Sequence, residues 1–500
     1  MFQRLSSTCL PSVRVMFRRI LATVPRSVWV VAMWAVLFLP HAARQAMRFE
    51  EGRRALLARD VLEEGRWMLP RVCGVRYVNK PPMLVWLIVG ASYLTGGVNE
   101  WAVRLPSLVA VLAAGLSVWA FGRKTIGPVA ATVAAAVLFL TPAVLQKSAL
   151  GETDALVMAC SFAAFALWWL RFRVGPVGWL WWFLCGVVLA GAAFAKGPPV
   201  LLYFALAVGI TTLLMKRPRE LLGLVACLAL AVVPALVWAA AVRERGDLTV
   251  WSEEMLRARA PASLGKYLIG QGEVLGGIVL GCGVWAIVLG GLAWYAFRGS
   301  WRRGDGELDG RKAKDGERSS DRGLLLALFA YAAPMIAVLL VHPGAQVRYA
   351  LPIVPVVAVA GGWLFERIRT RAGGAANVAV VLLMLAGLAR AAYVAAVLPH
   401  VADEDAREVA AQFANLLDGG PFYKSPYNGF YNVVFYLNCQ MEEITLEEFL
   451  LRGEPATVLL DQEEVAALSA DGRVDIEVLR TATFKDRHEL SLARLAPRTG

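Results

Sequence analysis

The stretch FEEGRRALLARDVLEEGRWMLP, Phe49 to Pro70, decides how this chain is read. Two adjacent glutamates open it, two adjacent arginines follow after one glycine, and it ends in Trp-Met-Leu-Pro. It lies directly after an apolar run and before RVCGVRYVNKPP, Arg71 to Pro82. Charged groups packed this densely at the edge of an apolar segment need a reason. At a membrane boundary they are costly, and they mark functional sites by default.

The rest of the chain supplies the membrane. It has 500 residues, 58% of them hydrophobic and 18% charged, with a mean hydropathy of +0.55. That composition excludes a soluble enzyme and describes a multi-pass α-helical membrane protein. Seventeen Trp suit interfacial belts. The net charge of +12 sits in short Arg/Lys clusters between apolar runs. Such clusters orient helices in a bilayer, so nucleic acid is not the expected partner. The seven Cys show no CxxC spacing and the four His no ligand spacing, which argues against a His-built metal site. Cys160, Cys185, Cys227 and Cys282 fall in apolar runs as packing residues. Cys73 and Cys439 are both expected outside, where a disulfide between them is open. Arg14, Arg18 and Arg19 precede the first apolar run without a small-residue cleavage site, which reads as a retained first helix.

About eleven spans are expected at roughly 20 apolar residues each: 27–45, 102–122, 127–146, 155–171, 177–194, 198–215, 220–241, 274–297, 323–341, 349–365 and 375–397. The segment 82–97 is short. With the N-terminus in the cytoplasm and 82–97 not crossing, Arg123/Lys124, Arg171/Arg173, Lys216/Arg217/Arg219, the loop 298–322 and Arg367/Arg369/Arg371 all fall inside. That is the positive-inside pattern, so 82–97 is expected to lie in or dip into the outer face. The loop 298–322 reads as a flexible cytoplasmic connector. The membrane domain is thus 1–397, with an outer loop 46–100. Beyond it, 398–500 pairs a helix-like run, DEDAREVAAQFANLL, with strand-like runs VVFYLN, ATVLLD and DIEVLR. This reads as a small α/β domain on the outer side.

On this topology one face collects unusual residues: Glu50 and Glu51, Lys80 in NKPP, Glu152 and Asp154 in LGETDAL, Lys196 in FAKGPP, and Arg348 and Tyr349 in VRYALP. The two signs ask for two jobs. Basic groups at the lipid boundary suit an anionic lipid head, with phosphate the obvious candidate. Carboxylates suit a general base that takes a proton from an acceptor hydroxyl, or a group that steadies positive charge at an anomeric carbon. Together these requirements describe transfer of a sugar from a polyprenyl-phosphate carrier. Taken singly, each residue has a plainer reading. Arg53, Arg54 and Arg59 suit a surface helix on anionic headgroups, Glu63 and Glu64 a solvated face, and Asp154 a helix cap. Co-occurrence on one face favours the site. A transporter or flippase of lipid-linked sugars is the rival class, but it would place charges at the midplane of two related halves.

These residues also resemble a family. The order Glu50-Glu51-Gly52-Arg53-Arg54-Ala55, Gly65-Arg66-Trp67, Pro70, Gly74-Val75-Arg76-Tyr77 and Lys80-Pro81-Pro82 is similar to the pattern after the first helix of bacterial polyprenyl-phosphate-dependent glycosyltransferases of the GT-C fold. That group holds the lipid A aminoarabinose transferases and relatives of the protein O-mannosyltransferases. NEWAVRLPS (Asn99 to Ser107), AKGP and RYALPIVP extend the resemblance over about 48–360. It implies an inverting inner-membrane glycosyltransferase with Glu50 at the position of the catalytic aspartate, as general base, Glu51 and Asp154 as its acidic partners, and Arg53, Lys80, Lys196 and Arg348 at the donor phosphate. Tyr77, Glu152 and Tyr349 are the expected substrate contacts. The implied partners are a polyprenyl-phosphate sugar, a glycolipid, polysaccharide or protein hydroxyl, and membrane lipid. No cofactor is required by the pattern; carboxylates can hold a divalent ion, but no complete ligand set is visible. Glu50 stands where the family has Asp, and Arg54 where it has Tyr. Asn79 stands where the aminoarabinose transferases carry an acid, which argues against aminoarabinose as the sugar. The two departures also leave a degenerate, non-catalytic member open.

Overall fold

The computed structural model describes residues 24–147, 150–244, 264–282, 311–342, 345–371, 373–397, 406–417, 421–483 and 489–498. The basic N-terminal cluster Arg14, Arg18 and Arg19 lies outside them, as does 298–310 of the loop. Among the described residues, six helices are long and apolar enough to cross a membrane: Glu100–Thr125, Asp154–Phe172, Trp179–Lys196, Glu220–Glu244, Asp321–Val341 and Val347–Thr370. Shorter apolar helices, Arg26–Pro40, Pro128–Leu140, Pro198–Leu214 and Ala376–Ala392, coincide with four further expected spans. The span expected at 274–297 overlaps the helix Leu264–Cys282, and its remainder lies outside the described residues.

Large aromatics fill the bundle. Phe121, Phe162, Phe165, Trp168 and Phe172 form a chain of ring contacts, all buried. The connector expected at 298–322 is helical from Arg311 onward, as part of Arg311–Val341. Arg, Lys, Ala and Glu in that stretch are good helix formers.

The segment 82–97 forms the helix Met83–Thr95, 13 residues long. At 1.5 Å per residue it reaches about 20 Å, short of a bilayer core of about 30 Å. Before it come a helix and a short hairpin. The helix Glu51–Glu64 ends on Gly65, whose φ of 67° closes the last turn. Strands β1 (Arg71–Val72) and β2 (Val75–Arg76) then pair antiparallel. Their two-residue turn, Cys73-Gly74, has both φ values positive, at 48° and 78°. That is the primed turn that suits the twist of a tight hairpin.

The C-terminal region carries a five-stranded mixed sheet in the order β4-β3-β5-β7-β6. Its strands are β3 Phe422–Lys424, β4 Glu442–Glu443, β5 Ala456–Asp461, β6 Val474–Thr483 and β7 Glu489–Pro497. β3 pairs parallel with β4 and β5, and β7 antiparallel with β5 and β6. VVFYLN, strand-like in sequence, is instead the helix Tyr431–Leu437. Its apolar side chains pack on the helix Ala406–Ala414 and reach the helix Glu51–Glu64. Tertiary packing overrides the β-propensity of Val and Phe here.

Candidate active site

Two neighbouring glutamates part company at the start of the helix Glu51–Glu64. Glu51 turns into the bundle, where it is fully buried. Arg104 of the helix Glu100–Thr125 grips both its oxygens, Nε to Oε1 and Nη2 to Oε2, each at 2.8 Å. The same guanidinium donates to the carbonyls of Ala42, Gln45 and Ala46. Glu51 also accepts the backbone N–H of Gly151 at 3.0 Å and of Arg48 at 2.9 Å. Expected as a catalytic acidic residue, Glu51 stands in a buried ion pair in which each carboxylate oxygen accepts two hydrogen bonds. The pair ties the helix Glu51–Glu64 to the helix Glu100–Thr125. Arg104 was the missed partner. Its signal was an arginine inside an apolar run, which the sequence NEWAVRLPS shows openly.

Glu50 faces the other way and is partly exposed. Its Oε2 lies 2.9 Å from Arg53 and 3.8 Å from Arg54. Arg54 is buried over the Tyr77 ring, 5.0 Å from its centroid. Burial pulls this guanidinium's pKa down, but Tyr77 and Glu50 outweigh that, so it is raised overall. The tyrosine that the family pattern has at position 54 is thus replaced by a fixed positive charge.

Lys80 lies among these groups, sensing Arg54, Lys196, Asp154 and Arg348. Burial and the neighbouring cations push its ammonium down to about 7. It has no hydrogen-bond or ion-pair partner among the described residues. Asp154, at the first turn of the helix Asp154–Phe172, takes an ion pair from Lys196 instead of capping its helix. Lys196 also stands 4.4 Å from the Tyr349 ring, and Arg348 lies 5.8 Å from the same ring. Tyr203 fixes this corner by donating to the Tyr349 carbonyl.

Glu152 sits between Lys147 and Arg348, 3.8 Å from each. Its Oε2 is buried without a hydrogen bond, and so are Nε of Arg348 and Nε of Arg53. Burial, against the pull of Lys147, raises its carboxyl above the ordinary range. Lys147, like Arg104, was not singled out in the sequence.

The expected residues therefore converge, Glu51 excepted. Arg53, Arg54, Lys80, Lys147, Lys196 and Arg348 face Glu50, Glu152 and Asp154, six cations against three carboxylates. With Lys80 pushed down to about 7, five cations and one titrating lysine face three carboxylates, a balance that suits a phosphate-bearing ligand. Among the described residues no group of three His, Cys, Asp or Glu comes together at metal-ligand distance.

Across the helix Glu51–Glu64 lies a separate cavity of about 500 Å³, walled by Arg59, Asp60, Arg71, Phe422 and Glu442 among others. Cys73 and Cys439 both line it as free thiols, so the disulfide left open above is not formed.

Residues 79–238 match the family model described as dolichyl-phosphate-mannose-protein mannosyltransferase. An undecaprenyl phosphate-alpha-4-amino-4-deoxy-L-arabinose arabinosyl transferase of Sodalis glossinidius is 31% identical over 211 residues, 41% of this chain and 37% of that protein. A putative mannosyltransferase of Bacillus subtilis is 27% identical over 169 residues, 32% of this chain and 22% of its own. The chain spans about two fifths of the length of the aminoarabinose transferases it matches. Among solved structures, ArnT from Cupriavidus metallidurans bound to undecaprenyl phosphate superposes with a TM-score of 0.67 at 18% identity, over 93% of this chain and 97% of the other. The oligosaccharyltransferase of Archaeoglobus fulgidus gives 0.50 at 13% identity, over 85% and 62%. The chain shares the fold of ArnT, and parts of it are similar in sequence to the mannosyltransferase family model and to the aminoarabinose transferases.

Proposed function

We propose that this protein transfers a sugar from a polyprenyl-phosphate carrier to a hydroxyl acceptor on the outer face of the inner membrane. The observation that carries the reading is the cationic cluster. Arg53, Arg348 and Lys80 each hold a donor with no hydrogen-bond acceptor, beside carboxylates that can serve a hydroxyl. Relatives whose names specify undecaprenyl-phosphate donors, and a like-folded structure bound to undecaprenyl phosphate, support the choice of carrier.

In this reading the carrier phosphate enters between Lys80, Arg348 and Arg53. It draws Arg53 and Arg54 away from Glu50, and the freed carboxylate accepts the acceptor's hydroxyl proton. The acceptor oxygen attacks the anomeric carbon from the face opposite the phosphate, which gives inversion. The bond from that carbon to the phosphate oxygen breaks, and the electron pair leaves with the phosphate. Lys80, charged once the anion is present, stabilises the departing group. Asp154 keeps Lys196 aligned at the donor head. The acceptor class, glycolipid, glycan or protein, is read from where the sugar goes.

The test is transfer in membranes supplied with a set of radiolabelled undecaprenyl-phosphate sugars. At least one donor should pass its label to a lipid, glycan or protein fraction only when the chain is present. Label that stays on every carrier, with the protein demonstrably folded, contradicts the reading.

One observation favours a second assignment of the base. Glu152 has a buried oxygen without a hydrogen bond and a raised carboxyl pKa. If Glu152 is the base, transfer falls as pH drops through a value above the ordinary carboxylate range of about 4. Glu152→Gln would abolish that limb, and Glu50→Gln would leave it in place.

A further inference from the structure

Glu50 is the N-cap residue of the helix Glu51–Glu64, yet its side chain makes no capping hydrogen bond. An N-cap side chain ordinarily accepts from the backbone N–H of the second or third helical residue. Here the acceptor comes from elsewhere in the chain. Asn432, in the helix Tyr431–Leu437, presents Oδ1 to the N–H of Gly52 at 2.7 Å. Its Nδ2 donates to the carbonyl of Phe49 at 3.2 Å. One amide thus brackets the Glu50–Glu51 pair from both sides. Phe49 is held with φ at 50°, a left-handed conformation that an aromatic residue adopts only under constraint. Gly52 permits the approach, because a Cβ there would stand 2.5 Å from the Asn432 backbone.

The same helix grips the segment at two more points. The Tyr436 hydroxyl accepts the N–H of Met47 at 2.8 Å and donates to Glu100 at 2.6 Å. Arg407 holds the same Glu100 carboxylate. The Tyr431 ring lies 4.5 Å from both the Arg53 guanidinium and the Lys424 ammonium, and its hydroxyl donates to Glu443.

We propose that the helix Tyr431–Leu437 clamps the reactive segment and that Asn432 is a positioning residue for Glu50. By capping the helix in place of Glu50, Asn432 leaves the Glu50 carboxylate to Arg53 and Arg54, from which the carrier phosphate can release it. The outer domain is therefore a working part of the site. The inference rests on the glycosyl-transfer reading for its consequence, but the clamp itself has a separate readout.

The full-length protein in nanodiscs serves both tests. Asn432→Ala should lower the transfer rate at saturating donor about 10- to 100-fold, as expected for misplacing a reacting group. The donor KM and the affinity for undecaprenyl phosphate should stay within about twofold, since uniform binding is untouched. Asn432→Asp keeps the acceptor for Gly52 and should recover part of the rate. Hydrogen exchange should rise in peptides covering 47–58 of Asn432→Ala, with the strands β5 and β7 still protected. Unchanged exchange in 47–58, or a full transfer rate in Asn432→Ala, overturns the clamp. Equal loss of carrier binding and transfer also overturns it, because a general collapse is then sufficient. If wild type transfers no sugar at all, the function reading fails, and the exchange measurement still decides the clamp.

Discussion

Lys80 is the residue whose charge depends most on what the site contains. Burial among cations pushes its ammonium down to about 7. A bound phosphate reverses that balance and returns it toward the ordinary value of about 10.4. Binding then takes up a proton, and the sign follows. Below pH 7 the lysine is already charged and affinity is at its maximum. Above it, affinity for undecaprenyl phosphate should fall by up to about tenfold per unit until the bound-state value is reached. Titration calorimetry in buffers of different ionisation enthalpy checks the proton uptake, and Lys80→Ala should remove it. The sequence disclosed Lys80, Arg53, Asp154, Lys196 and Arg348 because a charge beside an apolar run is conspicuous on its own. It could not disclose which way each side chain turns. Glu50 and Glu51 look alike in sequence, and only the position of Arg104 shows that one is an anchor and the other is available.

At the scale of elements, the outer helix Glu51–Glu64 is held from below by a buried ion pair and from above by a clamp. Breaking one partner of a buried pair costs about 3–5 kcal/mol, because the other charge is left without compensation. Glu51→Gln should therefore lower the thermal unfolding temperature of the solubilised protein sharply. Glu50→Gln, whose side chain is 35% exposed, should leave that temperature almost unchanged. Comparable losses in both would contradict the division of labour. The hairpin at Cys73-Gly74 was not read from the sequence, since Cys is an unusual residue at positive φ. The helix Tyr431–Leu437 was misread because Val, Phe and Tyr carry strand propensity. What decides its conformation is packing against elements more than 300 residues away, such as Met47.

A membrane bundle followed by an α/β region was legible in the sequence because length, hydropathy and the helix- and strand-like patterns all act over long windows. The seam between the two was not legible, since it depends on contacts such as Asn432 with Gly52 and Tyr436 with Glu100. The topology argued from positive charge makes a direct prediction. Alkaline phosphatase fused after Gly500 should be active, being exported. The same reporter inserted in the loop 298–322 should be inactive. The opposite pattern would invert the orientation and remove the outer-face assignment of the site. The seam makes another prediction. Ending the chain before Ala406 should abolish transfer while the membrane helices still insert, because Phe49 to Gly52 would lose their partners.

The most direct test of the central claim is sugar transfer from a radiolabelled polyprenyl-phosphate donor in membranes, comparing wild type with Glu50→Gln at matched expression. The account predicts a labelled product from wild type and a loss of about 10²- to 10⁴-fold in the variant, with undecaprenyl phosphate still bound. Equal transfer by the two proteins would remove Glu50 from the chemistry and contradict the account.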